Sequence, residues 1–139
     1  MKRSLLLILN VFLMALPLYA EHIKARDALS QMPDSIIPYL SKNNRLDLID
    51  FMDSGMKARV QNRFEGYTEL VAMDDDSLTI KLNEVTVLKL CVVPVGQEID
   101  GSNQIIHLSF HVGIPADKVD VVNHYYSVMW RPLDEKTVK

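Results

Sequence analysis

The run HLSFH, His107 to His111, sets two imidazoles and a hydroxyl close together. On a helix the two histidines would stand one above the other and could share a zinc ion, as in the H-E-x-x-H motif, although Leu108 occupies the place of that motif's glutamate. On a strand, a rise of ~3.3 Å per residue puts them ~13 Å apart, which zinc–nitrogen bonds of ~2.0–2.1 Å cannot span. The surrounding pattern decides. Ile106, Leu108, Phe110 and Val112 alternate with His107, Ser109 and His111, the period of a half-buried strand. The pair is therefore not read as a metal site, and no cofactor is expected. Ser109 lies ~6.6 Å along the strand from each histidine, beyond the ~2.6–3.2 Å that a serine nucleophile and its base need. A neighbouring strand could bring His124, Tyr125 or Cys91 alongside, and a Cys91–His111 pair stays open.

Other candidate groups have plainer explanations. Asp47, Asp50 and Asp53 would line one edge of a helix, where a solvated face accounts for them, because nothing nearby supplies the further oxygens a hard cation demands. Asp74 to Asp76 lack the alternating ligands, central glycine and terminal glutamate of a calcium loop, and aspartate favours turns. Cys91 cannot form an internal disulfide, being the single cysteine. Its apolar surroundings in VTVLKLCVVPV suit a small buried hydrophobe better than a reactive thiol.

The elements that must carry these groups fall into two halves. Residues 22–56 read as helical and 57–131 as strands. A first helix is expected over Ile23 to Gln31, ended by Pro33, and a second, short one from Ser35, with Pro38 in its first turn. A third helix is expected with Asn44 as N-cap and Gly55 closing its C-terminus. Alternation then predicts strands in YTELVAM and SLTIKLN, with turns at Glu65–Gly66, Asp74–Asp76 and Asn83–Glu84. VTVLKLCVVPV, apolar on both faces, reads as a central strand covered on both sides. The last strand is HYYSVMWRP, with Tyr126, Val128 and Trp130 on one face and Tyr125, Ser127, Met129 and Arg131 on the other, stopped by Pro132. The fold expected is α+β: two or three N-terminal helices packed on an antiparallel meander sheet of about five or six strands. Its core face would hold Leu78, Ile80, Leu82, Leu88, Leu90, Val92, Leu108, Phe110, Val128 and Trp130.

The chain opens with Lys2 and Arg3, an apolar stretch from Leu5 to Leu16 and the small Ala20, the layout of a signal peptide over residues 1–20. Asn10 and Pro17 interrupt the run, which falls short of the ~20 apolar residues a span needs, so no stable membrane span is expected after cleavage. Residues 21–139 then form a single domain. Cleavage would remove two of the 15 basic residues and none of the 18 acidic ones, driving the net charge of −3 further negative. With no Lys/Arg stripe, nucleic acid is not expected as a partner.

The stretch MPDSIIPYLSKNNRLDLIDFMDSGMKA, the alternating run after it and YYSVMWRPL resemble a domain-of-unknown-function family of small exported proteins from Gram-negative gut-type bacteria. The resemblance implies export and one helices-then-strands unit. It brings no established activity, cofactor or catalytic residue. Members continue beyond the segment matching WRPL, so the resemblance leaves two readings of this chain open, a whole protein or the first half of a longer architecture.

These readings favour a non-catalytic binding module of the periplasm or cell envelope over an enzyme. Its partner, an envelope or exported protein of unknown identity, would meet a sheet face carrying His107, His111, Tyr125, Met129 and Arg131. The alternatives are a small hydrolase using Cys91 or Ser109 with a histidine, and a carrier holding an apolar ligand between helices and sheet.

Overall fold

The computed structural model describes residues 22–113 and 118–139, so the expected signal peptide lies outside the described residues. Helices α1 (Ala25–Gln31) and α2 (Lys42–Asp53) come first. Seven strands follow: β1 (Arg59–Gln61), β2 (Tyr67–Met73), β3 (Ser77–Lys81), β4 (Thr86–Ile99), β5 (Ser102–Val112), β6 (Asp120–Ser127) and β7 (Pro132–Leu133). A last turn of helix, α3, spans Glu135–Val138. Every strand pairs antiparallel with its neighbours in sequence, giving one sheet in the order β1 to β7. The α+β meander is as expected, with seven strands rather than five or six.

In α1, Ala25, Ala28 and Leu29 are fully buried one helical turn apart, so this short helix is held by tertiary packing rather than by propensity. Its first N–H, at Ala25, donates to the Asp75 carbonyl in the β2–β3 turn (2.8 Å). The second helix expected from Ser35 does not form. Pro33 to Leu40 instead make two separate turns, closed by Ile36 N–H to the Pro33 carbonyl (3.1 Å) and Leu40 N–H to the Ile37 carbonyl (3.2 Å). Pro38 cannot donate and drives Ile37 away from helical angles, which leaves no room for a continuous helix.

Helix α2 starts earlier than expected: Ser41, not Asn44, is the N-cap, its hydroxyl accepting the Asn44 N–H (3.1 Å). Gly55 ends it as expected, at φ +69°. There Met56 N–H reaches the Phe51 carbonyl (2.9 Å) and Gly55 N–H the Met52 carbonyl (3.1 Å), the Schellman arrangement. Leu48 and Ile49 are buried, whereas Leu46 is exposed.

Arg45 faces the same way as Leu48 and Ile49 and is 1% exposed. Its guanidinium donates to the carbonyls of Leu29 (3.0 Å), Met32 and Leu40 (3.0 Å), and to Asp34 (2.9 Å). The carbonyls at the end of α1 and in the following turns have no helical partners, and the planar five-donor fork of arginine satisfies them together. The basic head also sits at the negative end of α1. Asp34 is gripped again from outside by Arg63 (2.9 Å).

The short α3 touches β6, while helices α1 and α2 lie on one side of the sheet, against β1 to β4. Beneath them Leu70, Leu78, Ile80, Leu82, Leu88, Leu90, Ile106 and Leu108 are almost completely inaccessible, and Trp130 closes the cluster at 8% exposure. Two expected core members are only half-buried: Phe110, which packs against the edge of the cluster, and Val128, which lies in a turn. β4 is the central strand, but it is not covered on both sides. Val87, Cys91 and Val93 are only half-buried and Lys89 is exposed, because α1 and α2 both pack against the opposite face of the sheet.

The hairpins show why the register holds. The Asp74 carboxylate accepts N–H groups from Asp76 (2.9 Å) and Ser77 (2.8 Å), and Asn83 does the same for Val85 and Thr86 (both 2.9 Å). Asp100 (φ +50°) and Gly101 (φ +78°) form a two-residue turn between β4 and β5, a D-G hairpin turn. The expected last strand, HYYSVMWRP, is broken. β6 stops at Ser127, the chain reverses through Trp130 at φ +61°, and Pro132–Leu133 returns to pair with Tyr126 and Tyr125. No glycine marks this turn. The buried Ser127 hydroxyl holds it instead, accepting the N–H groups of Met129 and Arg131 (both 3.2 Å).

Candidate functional site

HLSFH is part of strand β5, as the alternation predicted: Ile106 and Leu108 are buried against the helices, while His107, Ser109 and His111 face the other side. On that side the ladder sets Cys91 of β4 opposite His107, and His107 opposite Tyr125 of β6. The next row is Lys89, Ser109 and Asn123, and the one after it Val87, His111 and Val121. The sheet therefore gathers His107, His111 and Tyr125 onto one open face, with Ser109 and Asn123 between them.

These groups are ordered by one another. The His107 ring stacks on Tyr125, with centroids 4.8 Å apart and planes within 10°, and its Nε2 lies 2.8 Å from Asn123 Oδ1. The Ser109 hydroxyl meets His111 Nε2 at 3.0 Å. This contact corrects the expectation that Ser109 is out of reach of both histidines. The ~6.6 Å spacing along a strand separates backbones, and the imidazole side chain is long enough to lean back over the hydroxyl. The two histidines thus turn to different partners. Among the described residues no group of three or more His, Cys, Asp or Glu side chains could hold a metal ion.

The other candidates are dispersed. Met129, 73% exposed, stands in the turn after β6 and lines an open cleft with Ile23, Asp27, Gly101 and Ser102. Arg131 reaches sideways to Asp100 in the β4–β5 turn, with Nε 3.0 Å and Nη2 3.2 Å from its carboxylate oxygens. Neither belongs to the patch around His107, because the reversal at Trp130 takes both off the β6 ladder. His124 lies on the opposite face of the sheet, edge-on to Phe110 (5.9 Å).

The geometry limits what the face can do chemically. Cys91 sits opposite His107, not His111, and partial burial together with the Asp74 carboxylate pushes its thiol above the ordinary value, away from the reactive thiolate. Ser109 is 8% exposed in the middle of β5, where its backbone is committed to ladders on both sides and offers no spare N–H to an oxyanion. Among the described residues no carboxylate is hydrogen-bonded to His111 to orient it. A carrier would need an enclosed apolar cavity under the helices, and the residues there are packed to near-zero exposure. No helix of the described residues is long and apolar enough to cross a membrane.

No curated protein matches this chain. Among solved structures, a domain of an uncharacterized protein from Porphyromonas gingivalis W83 is similar in fold, with a TM-score of 0.63 at 18% identity. The match covers 84% of this chain and 57% of that one, so this chain spans a little over half of its length. At that identity the likeness speaks for the fold alone. A family model described as "Protein of unknown function (DUF3256)" matches residues 17–138, and the chain is a member of that family.

Proposed function

We propose that this protein is a non-catalytic interaction module, exported to the periplasm or cell envelope, that docks a protein partner on the open face of its sheet. One observation carries the reading. Helices α1 and α2 lie on one side, leaving His107, Tyr125, Asn123, Ser109 and His111 together on the other, with only the single turn α3 touching β6. A preordered aromatic–imidazole pair loses little freedom on binding, which favours its use as an anchor. The basic, apolar and small-residue sequence of residues 1–20 supports export.

The test places a photo-activatable side chain at Tyr125 or, as a control, at Asp50 on the exposed side of α2, in the organism that makes the protein. Adducts to one exported protein from position 125 and none from position 50 are expected. Equal labelling from both positions, or none from 125, would sink the proposal.

The 3.0 Å contact between Ser109 and His111 favours one second reading, a serine hydrolase. A fluorophosphonate that labels the folded protein, and fails to label Ser109→Ala, would establish it. Absence of labelling removes it.

A further inference from the structure

Strand β6 is left partly paired. β7 meets it only at Tyr125 and Tyr126, so among the described residues no strand lies beside the outer edge of Asp120–His124. Val121 and Val122, one on each face, are 50% and 48% exposed. Sheets usually blunt such an edge with charged residues, lysine above all, with proline or a bulge, or by covering it with a helix or loop. The sequence DVVNH carries one charge, Asp120, and no lysine or proline, and its pairing with β5 is unbroken. Helix α3 touches β6, but Asp134 and Glu135 face Asn123 and His124 across an open cleft rather than pairing with them.

The direction of the backbone groups follows from the paired end. Ser127 N–H donates outward to the Arg131 carbonyl, and Pro132, which has no N–H, stands opposite Tyr126. Ser127 and Tyr125 therefore aim their N–H and C=O groups outward, and the alternation of a strand extends this to Asn123 and Val121. Asp120, Val122 and His124 turn theirs inward to β5.

We propose that Asp120–His124 pairs antiparallel with the same segment of a second copy of this chain, about a two-fold axis at Val122. In that register Val121 and the second copy's Asn123 exchange backbone hydrogen bonds, as do Asn123 and the second copy's Val121. Val122 meets itself in a non-hydrogen-bonded pair, the kind in which side chains approach most closely. Asp120 falls opposite the second copy's His124 at both ends, and each pair sets a carboxylate acceptor against an imidazole donor.

This self-complementarity selects a second copy over an unrelated strand. Recentring on Val121 would set Asp120 opposite valine. Recentring on Asn123 would require Tyr125, whose edge β7 already holds. The free stretch and what the copy offers are thus equal in length, and the two-fold closes the assembly without leaving a growing edge.

The contact belongs to the small end of interfaces, so it is tested at high protein concentration and with a covalent trap. In a Cys91→Ser background, Val122→Cys should form an intermolecular disulfide under mild oxidation. Its two Cα atoms would lie ~4.5 Å apart, within disulfide range. Val121→Cys, displaced from its own copy, should not. By sedimentation equilibrium the unaltered protein should dimerise reversibly. Val121→Pro, which removes an outward N–H without touching the β5 ladder, should weaken the dimer at least about tenfold, a change of ~1.4 kcal/mol. D120K and H124E should each weaken it, and a mixture of the two should associate more strongly than either alone. A protein that stays monomeric with no Val122→Cys link overturns the proposal. So does a dimer indifferent to these substitutions, or equal linking from position 121.

Discussion

His107 and Tyr125 lie face to face across β5 and β6, their ring centroids 4.8 Å apart, on the side of the sheet away from α1 and α2. The stack spans the two strands that the HLSFH and HYY segments form, so it can be perturbed without opening the core. A double-mutant cycle of His107→Ala and Tyr125→Ala, followed by urea unfolding, should return a coupling energy of about 0.5–1.5 kcal/mol. Both single variants should keep the far-UV spectrum of the unaltered protein. A coupling near zero would mean that the rings do not hold each other.

Arg45 is the polar centre of the helical half. Arg45→Met keeps the apolar stem but strands the carbonyls of Leu29, Met32 and Leu40. The expected loss is roughly 3–5 kcal/mol of unfolding free energy. Asp34→Asn should cost far less, because that side chain is exposed and the backbone contacts of Arg45 survive. Equal losses would show that the ion pair, not the carbonyl cage, is what Arg45 supplies.

Ser127 decides whether the chain reverses after β6. Ser127→Ala removes the acceptor shared by Met129 and Arg131 N–H in a fully buried position. A cost of about 1–3 kcal/mol is expected. Hydrogen exchange should accelerate first at Ser127 and Trp130, whose N–H groups close the turn.

Acid should weaken the fold in a definite window. The hydrogen bond from Arg45, reinforced by Arg63, holds Asp34 below its ordinary 3.8. The Ser77 and Asp76 N–H groups do the same for Asp74, and Arg131 does so for Asp100. A carboxyl group depressed in the folded state binds fewer protons there than in the unfolded chain. Its stabilisation is complete above the unfolded value and is lost as the pH falls through the folded one. Melting temperature should therefore be level above about pH 5 and fall steadily below pH 4. The fall should be shallower in Asp34→Asn.

Cys91 should be sluggish. Burial and the Asp74 carboxylate raise its thiol, so alkylation by iodoacetamide near neutral pH should run slower than for a cysteine in an unfolded peptide. Guanidinium should restore the ordinary rate. Faster labelling in the folded state would revive the thiol hydrolase.

Local chemistry by itself determined most of the framework. Period-two alternation marked β2, β3 and β5, Gly55 marked the end of α2, and Asp74 and Asn83 marked two hairpins, because each signal acts within a few residues of itself. Two matters were decided only in three dimensions. Arg45 reads as an ordinary charged helix residue, and only the carbonyls that α1 and the proline turns bring around it make its burial tolerable. The reversal at Trp130 carries no glycine or asparagine, because a buried hydroxyl from β6 and the core's demand for the indole impose it. The candidate site followed the same division. The shared face of His107, Ser109 and His111 was legible from alternation, whereas Cys91, Asn123 and Tyr125 joined it through cross-strand register. That register depends on turn geometry and on which faces are buried, and spacing along a single strand cannot express it.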